Sequence, residues 1–124
     1  MTTSLKIILT VSVIIILTIS MTMRPIPNIT ESEANSITGI VKEVKESGTN
    51  DISFILEDVD IHFYINRGEE KGLSIQSLTQ RLSGKEVEIM YPTYWTLLDP
   101  MGKIKHVSRL SIDEEVLFNE LREK

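Results

Sequence analysis

The chain has 124 residues, 41% of them hydrophobic and 25% charged, which predicts one small folded domain. Its formal net charge is −5. Phosphate binding depends mainly on Lys and Arg, so this balance argues against nucleic-acid binding. The absence of cysteine excludes disulfides, thiolate metal sites and a cysteine nucleophile.

The N-terminal segment is strongly apolar: residues 7–23, "IILTVSVIIILTISMTM", contain only apolar residues, Ser and Thr. As a helix they span roughly 26 Å, and the Lys6 stem adds reach toward the ~30 Å of a hydrocarbon core. We therefore predict a transmembrane anchor, or an uncleaved signal-like segment, over residues 1–23. A cleaved signal and a buried soluble segment are the alternatives. The run exceeds the usual ~7–15 residues of a signal, and "SMTMRPIP" lacks a small-residue cleavage site.

Charges at the two ends of this segment predict its orientation. Lys6 and the N-terminal amine outweigh Arg24, so the positive-inside rule places the N-terminus in the cytoplasm. The domain then lies on the extracytoplasmic side of the cell membrane, held by a single span. Residues 24–35, rich in Pro and polar residues, are predicted to be a linker, which leaves residues 36–124 as the domain.

The first part of the domain predicts three strands: "ITGIVKEVKE", "DISFILED" and "IHFYIN". The first two are separated by the turn cluster "SGTND", and "VD" makes a tight turn between the second and third. Alternation predicts one face of the second strand from Ile52, Phe54 and Leu56. In the third strand, it separates Ile61, Phe63 and Ile65 on one face from His62, Tyr64 and Asn66 on the other.

The second part changes period and then returns to strand. "LSIQSLTQRLSG" predicts a helix with Ser74 as its N-cap and Gly84 as its stop. "KEVEIMYP" and "KIKHVSRLSI" are predicted strands joined by the aromatic loop "TYWTLLDPMG", and "EEVLFNELR" is an edge strand in preference to a terminal helix. This order predicts a mainly β, OB-like five-stranded small barrel with one short helix between strands 3 and 4.

Four stretches, "SITGIVKEV", "FYINRGEEKGL", "LSGKEVEIMY" and "WTLLDPMGKIKHV", carry a resemblance. They look like a group of small, uncharacterised bacterial proteins with an N-terminal hydrophobic segment and an OB-fold-like domain. The resemblance covers roughly residues 36–119. It implies the fold and a bacterial source, and it transfers no catalytic residue.

The end of the third strand, "YINRG", is the first candidate site. Tyr64 offers a flat platform for a ligand, and Asn66 and Arg67 offer polar groups beside it. The structural alternative is a turn made by Asn66 and a positive-φ Gly68, with Arg67 paired to an acid such as Asp99 or Glu69.

The aromatic loop is the second candidate, because the corresponding loop of OB-folds helps to form their ligand-binding surface. Trp95 is either a ligand contact or a plug of the barrel end, and Asp99 belongs to a predicted Asp-Pro-x-Gly turn. His106 is expected to be a partly buried, hydrogen-bonded side chain in preference to a ligand contact. A basic stripe of Lys103, Lys105 and Arg109 either meets anionic lipid headgroups or an acidic partner, or pairs with local acids.

No catalytic or metal-binding motif, and no cofactor, is indicated. The predicted function is a membrane-anchored OB-like binding or assembly module whose ligand is a protein, a glycan or a small anion. The candidate ligand-binding residues are Tyr64, Asn66, Arg67, Trp95, Asp99 and His106. One alternative is an envelope enzyme or enzyme accessory subunit with a polar site at Arg67, Asp99 and His106. A second is a nucleic-acid-binding OB domain that stacks bases on His62 and Tyr64.

Overall fold

The computed structural model describes residues 2–23, 25–48 and 50–123. Within them the chain is mainly β, with an N-terminal apolar helix. The predicted charge comparison across that helix uses Arg24, and the predicted "SGTND" turn includes Thr49; both residues lie outside the described part. The elements are α1 (Thr3–Thr22), β1 (Asn35–Ser47), β2 (Asp51–Leu56), β3 (His62–Ile65), α2 (Ile75–Leu82), β4 (Glu86–Tyr91), β5 (Ile104–His106), β6 (Arg109–Ile112) and β7 (Glu115–Asn119), with short 3₁₀ helices at Glu31–Glu33 and Gly68–Lys71.

Helix α1 is the predicted apolar helix. It begins after Thr2, whose hydroxyl accepts a hydrogen bond from the N–H of Leu5 (3.2 Å). Four of its hydroxyl groups are satisfied within the helix, because they donate to carbonyls of the preceding turn. These hydroxyls belong to Thr10, Ser12, Thr18 and Thr22. With 20 residues and a mean hydropathy of 2.3, α1 is long and apolar enough to cross a membrane, a property that it shares with signal sequences.

The strands form one sheet in the order β5-β3-β2-β1-β4-β6-β7. The long strand β1 pairs with β4 through its first half and with β2 through its second half, and its register with β2 shifts between Val41 and Glu43.

The predicted two-residue "VD" turn between β2 and β3 is wrong. Five residues, 57–61, connect these strands. Asp58 turns the chain with a φ of 57°, and Val59 packs against the core.

The strand predicted over "KIKHVSRLSI" is divided, which is one reason why seven strands are present where five were predicted. Strand β5 pairs with β3 in parallel, whereas β6 pairs with β4 antiparallel. Only Val107 and Ser108 lie between them. The N–H of Val107 donates to the carbonyl of Tyr64 in β3 (2.8 Å), and the N–H of Ser108 donates to that of Met90 in β4 (2.7 Å). The chain therefore passes from one partner strand to another within two residues. The other addition is β7, the edge strand that the sequence favours.

The predicted inward faces form the core. Ile52, Phe54 and Leu56 of β2 and Phe63 and Ile65 of β3 are at most 2% exposed. The predicted helix caps are also confirmed. Helix α2 covers the core with Leu78 and Leu82, the hydroxyl of Ser74 accepts from the N–H of Ser77 (3.3 Å), and Gly84 follows the helix with a φ of 75°.

The turn after β3 differs from its prediction. The left-handed residue is Arg67 (φ 52°), and neither Asn66 nor Gly68 has a positive φ. Gly68 is buried for a different reason. A Cβ at this position would lie 2.8 Å from Cδ1 of Ile52, a distance too short for two carbon atoms. The glycine therefore serves close packing against β2.

Candidate functional site

Strands β2, β3 and β5 present a polar outer face on the side away from the core. Their register places Ser53, Tyr64 and His106 in one row. Because strand side chains alternate between faces, these residues lie opposite the buried Phe54 and Phe63. The sequence assigned His62, Tyr64 and Asn66 to this solvent side of the strand, and His62 and Asn66 are exposed while Tyr64 is half-buried.

Three cavities with shared lining residues follow this face, and we call them together the outer groove. One, of about 280 Å³, is lined by Asn66, Lys71, His106, Ser108 and Glu120. The next, of about 410 Å³, is lined by Asp51, Ser53, His62, Tyr64 and Asn66. The last, of about 280 Å³, is lined by Tyr64, Tyr94, Leu98, Asp99 and Ile104. Ile26, which follows α1, lines all three cavities.

His106 is buried at one end of the groove, as expected for a hydrogen-bonded histidine. Its Nε2 lies 2.9 Å from Oε2 of Glu120, so the neutral ring donates Nε2–H to the carboxylate. Its Nδ1 is then a buried lone-pair acceptor with no hydrogen-bond partner among the described residues. Burial lowers the pKa of His106, although the Glu120 carboxylate acts in the opposite direction.

Lys71 and Glu120 join His106 in a polar cluster that the sequence did not predict. The Lys71 ammonium pairs with Oε1 of Glu120 and lies 5.5 Å from the centre of the Phe118 ring. Burial raises the pKa of Glu120, but the hydrogen bonds from Lys71 and His106 outweigh it and lower the pKa overall. The candidate residues taken from the sequence do not include Lys71. Its pairing with Glu120 joins residues 49 positions apart, and no local pattern marks such a contact.

Tyr64 lies at the middle of the groove. Its ring makes an edge contact with His106, with 5.5 Å between the ring centres. Burial raises the pKa of its hydroxyl well above the ordinary value, and Tyr94 adds to this effect. Tyr64 is therefore a neutral hydrogen-bonding group with an apolar ring, which suits it for contact with a ligand and not for proton transfer.

Asp99 stabilises the backbone of the loop that leads into β5. Its two carboxylate oxygens accept hydrogen bonds from the N–H groups of Lys103 and Ile104, each 2.9 Å long. The N–H of Gly102 donates to the carbonyl of Asp99 (3.2 Å), which closes the predicted Asp-Pro-x-Gly turn. Asp99 thus fixes the start of β5, although it also lines the last cavity of the groove.

Arg67 and Trp95 lie away from the described linings of the groove. Arg67 pairs with Glu70 at 3.6 Å in an exposed contact, and not with the predicted Asp99 or Glu69. Trp95 is 42% exposed, so it does not plug the interior as one prediction had it. Its indole N–H donates to the carbonyl of Pro100 (3.3 Å).

The basic stripe pairs with local acids at two of its three positions. Lys103 pairs with Asp60, and Arg109 lies 3.4 Å from Glu88 and 3.5 Å from Glu31. These pairs match the alternative in which the stripe meets acids of its own domain.

The second and third cavities of the groove are lined by the acidic residues Asp51 and Asp99, and no Lys or Arg lines these two cavities among the described residues.

The three residues of the enzymatic alternative are not brought together. Arg67 contacts Glu70, Asp99 caps β5, and His106 contacts Glu120. Ser108 lines the His106 cavity, but no hydrogen bond joins its hydroxyl to His106 in the described part of the chain. Across residues 2–23, 25–48 and 50–123, no group of three or more His, Asp or Glu side chains could hold a metal ion.

Comparisons with protein-family models, curated proteins and solved structures found no match to the chain. The resemblance to small bacterial OB-like proteins therefore stays a prediction. Arguments about function rest on the groove itself.

Proposed function

We propose that the protein is a membrane-anchored binding module whose outer groove holds an extended segment of a partner protein. The observation that carries this proposal is the position of residues 25–29, which follow α1 without regular structure. Ile26 within this segment lines all three cavities. An irregular part of this chain thus borders the groove, with an apolar side chain beside a mixed polar and apolar surface.

The chemistry of the groove suits a peptide better than a compact anion. Asn66 and Tyr64 supply donors and acceptors that match backbone amides. Lys71 lines the first cavity of the groove and already pairs with Glu120, so its charge is neutralised by a neighbouring carboxylate. Recognition of an extended chain uses such polar groups for affinity and apolar positions for specificity.

We also propose that the sheet closes on itself as an OB-like barrel. The chain crosses from β3 to β4 at Val107 and Ser108, and β1 pairs with both β2 and β4. These two features would link all the early strands into a ring. The outer groove would then lie on the wall of the barrel, close to the loop that OB-folds use for ligands.

The proposed location is the extracytoplasmic side of a cell membrane, with α1 as a single span. The length and hydropathy of α1 support it, and Lys6 at its start favours a cytoplasmic N-terminus. Protease should degrade the domain in cells whose cytoplasmic membrane is intact and whose outer membrane, where there is one, has been permeabilised. Degradation only after the inner membrane is opened would contradict this orientation.

Site-specific photo-crosslinking from the groove tests the partner. A photoreactive side chain is placed at His62 or Asn66, both exposed on the outer face, and at Glu86 on β4 as the matched control. We expect one crosslinked protein from the groove positions and not from Glu86. The interaction should be reproduced with the two purified proteins and weakened by Asn66→Ala. Equal crosslinking from Glu86, or binding unchanged in Asn66→Ala, would overturn the proposal.

A further inference from the structure

Exposed apolar side chains concentrate in the aromatic loop, residues 93–102, which lies in the connection between β4 and β5. From Pro25 onward, seven large apolar side chains are exposed among the described residues, and five of them lie at or beside this loop. Leu98 and Met101 are the most exposed, at 74% and 77%. Such a concentration on one surface marks a contact with something apolar.

The backbone of the loop is held in place by its own hydrogen bonds. The N–H of Asp99 donates to the carbonyl of Thr96 (3.1 Å), and that of Gly102 donates to Asp99 (3.2 Å). The carboxylate of Asp99 accepts from the next two N–H groups along the chain, and the indole of Trp95 is bonded to the carbonyl of Pro100. These bonds keep the apolar side chains outward and satisfy polar groups that would otherwise oppose entry into an apolar medium.

The loop also lies next to the end of α1. Thr22, the last residue of the helix, lines the same cavity of about 280 Å³ as Leu98 and Ile104. Twenty residues of helix span about 30 Å, the thickness of a hydrocarbon core. If α1 crosses the bilayer, its last residue lies at the bilayer surface, and the loop lies at the same level.

We infer that the aromatic loop inserts Trp95, Leu98 and Met101 into the interfacial region of the bilayer that α1 spans. This inference rests on the anchored state proposed above. Trp is favoured at the boundary between lipid and water because its ring is apolar and its N–H is polar. Lys105, which follows the loop on the first strand after it, can extend its ammonium toward lipid headgroups. The loop would thereby hold the domain against the membrane in a fixed orientation.

The chain contains a single tryptophan, Trp95, so its fluorescence reports on the loop without labelling. The full chain is reconstituted into liposomes of phosphatidylcholine and phosphatidylglycerol, some of them brominated near the headgroup and some near the end of the acyl chain. We expect loss of Trp95 emission with both brominated lipids, greatest with bromine near the headgroup. Aqueous iodide should quench the emission weakly.

Two variants provide the matched comparison. The double variant Leu98→Gln/Met101→Gln should reduce quenching by brominated lipid and increase quenching by iodide. Val116→Gln removes another exposed apolar side chain, from β7, at a cavity to which α1 contributes no described residue, and it should change neither signal. Circular dichroism establishes that each variant is folded.

Flotation after a carbonate wash separates the two possible failures. If the protein floats with the liposomes but brominated lipid does not quench Trp95, the inserted loop is wrong and the anchor stands. The same holds if the double variant behaves like wild type. If the protein is washed off the liposomes, the anchor is wrong, and the inferred position of the loop is wrong with it.

Discussion

The two faces of β3 lie in opposite environments although they belong to one strand of four residues. Phe63 and Ile65 point inward and are fully buried, and the Phe63 ring contacts Tyr91 edge to face, with 5.5 Å between the ring centres. His62 points outward and is exposed, and Tyr64 is half-buried beside His106. The residue types of the inner face are set by the volume and apolarity of the core, whereas those of the outer face are set by contacts with polar neighbours.

This difference separates stability from recognition. A close-packed interior penalises any change of volume, because neighbouring side chains relax only partly. The exposed positions of the outer face, His62 and Asn66, tolerate substitution without loss of the fold, so their residue types are available for binding. Substitutions on the inner face should therefore destabilise the domain, and those at the exposed outer positions should alter binding while the domain remains folded.

The largest expected effect is that of Phe63→Ala. It removes a fully buried aromatic side chain, and we expect a loss of about 3–5 kcal/mol in the free energy of unfolding. The neighbouring substitution His62→Ala should change it by less than about 0.5 kcal/mol. Urea denaturation of the detergent-solubilised chain, followed by the circular dichroism of the sheet, measures both. Similar losses in the two variants would contradict the assignment of the faces.

The second prediction concerns Gly68, where the inner face meets the turn after β3. Gly68→Ala places a methyl group 2.8 Å from Cδ1 of Ile52, and overpacking of this kind costs about 1–3 kcal/mol. Gly84→Ala is the matched control. Its cost comes from a φ of 75° with no atom within 4 Å of the added carbon.

A second substitution distinguishes the two causes. Ile52→Val deletes the nearest of the atoms that Gly68→Ala would contact, Cδ1, so the double variant should lose less stability than the sum of the single variants. Ile52→Val combined with Gly84→Ala should be additive. Additivity in both pairs would show that Gly68 is not required for close packing.

Much of the fold follows from local patterns in the sequence. Alternation in "DISFIL" and "HFYI" specifies which side chains enter the core, and Ser74 and Gly84 mark the ends of α2 by their chemistry. The division of the last predicted strand could not be read in this way. Val107 and Ser108 are ordinary strand residues, and only the positions of β3 and β4 in space make them change partners.

The candidate site was only partly predictable for a similar reason. Tyr64, Asn66 and His106 meet in the outer groove because the period of β3 and its pairing with β5 bring them to one face. Arg67 has a left-handed backbone and pairs with Glu70. The pattern "NRG" does not show whether the left-handed residue of the turn is the arginine or the glycine. Glu120 reaches His106 only through the β6–β7 hairpin, so its role depends on a contact outside any local motif.

The smallest expected effect is a dependence of stability on pH that arises from the outer face. The groups facing His106 are Glu120, Lys71, Asp51 and the ring of Tyr64. Burial is the main cause of its lowered pKa, so the unfolded chain takes up a proton below the ordinary value of 6.5 while the folded chain does not. The contribution of neutral His106 to the free energy of unfolding is fully present above pH 6.5. It falls as the pH decreases below this value, by at most about 1.4 kcal/mol per pH unit for one proton.

His106→Gln removes the titrating group and keeps a donor that can reach Glu120. Between about pH 7 and pH 5, urea unfolding of this variant should depend less on pH than that of wild type. Glu120 also has a lowered pKa, so its contribution is lost only as the pH falls below its ordinary value of 4.5. The two windows are therefore distinct. An equal pH dependence of the variant and wild type in the upper window would mean that His106 takes up its proton as readily in the folded chain as in the unfolded one. The buried Nδ1 would then have to be accessible to water.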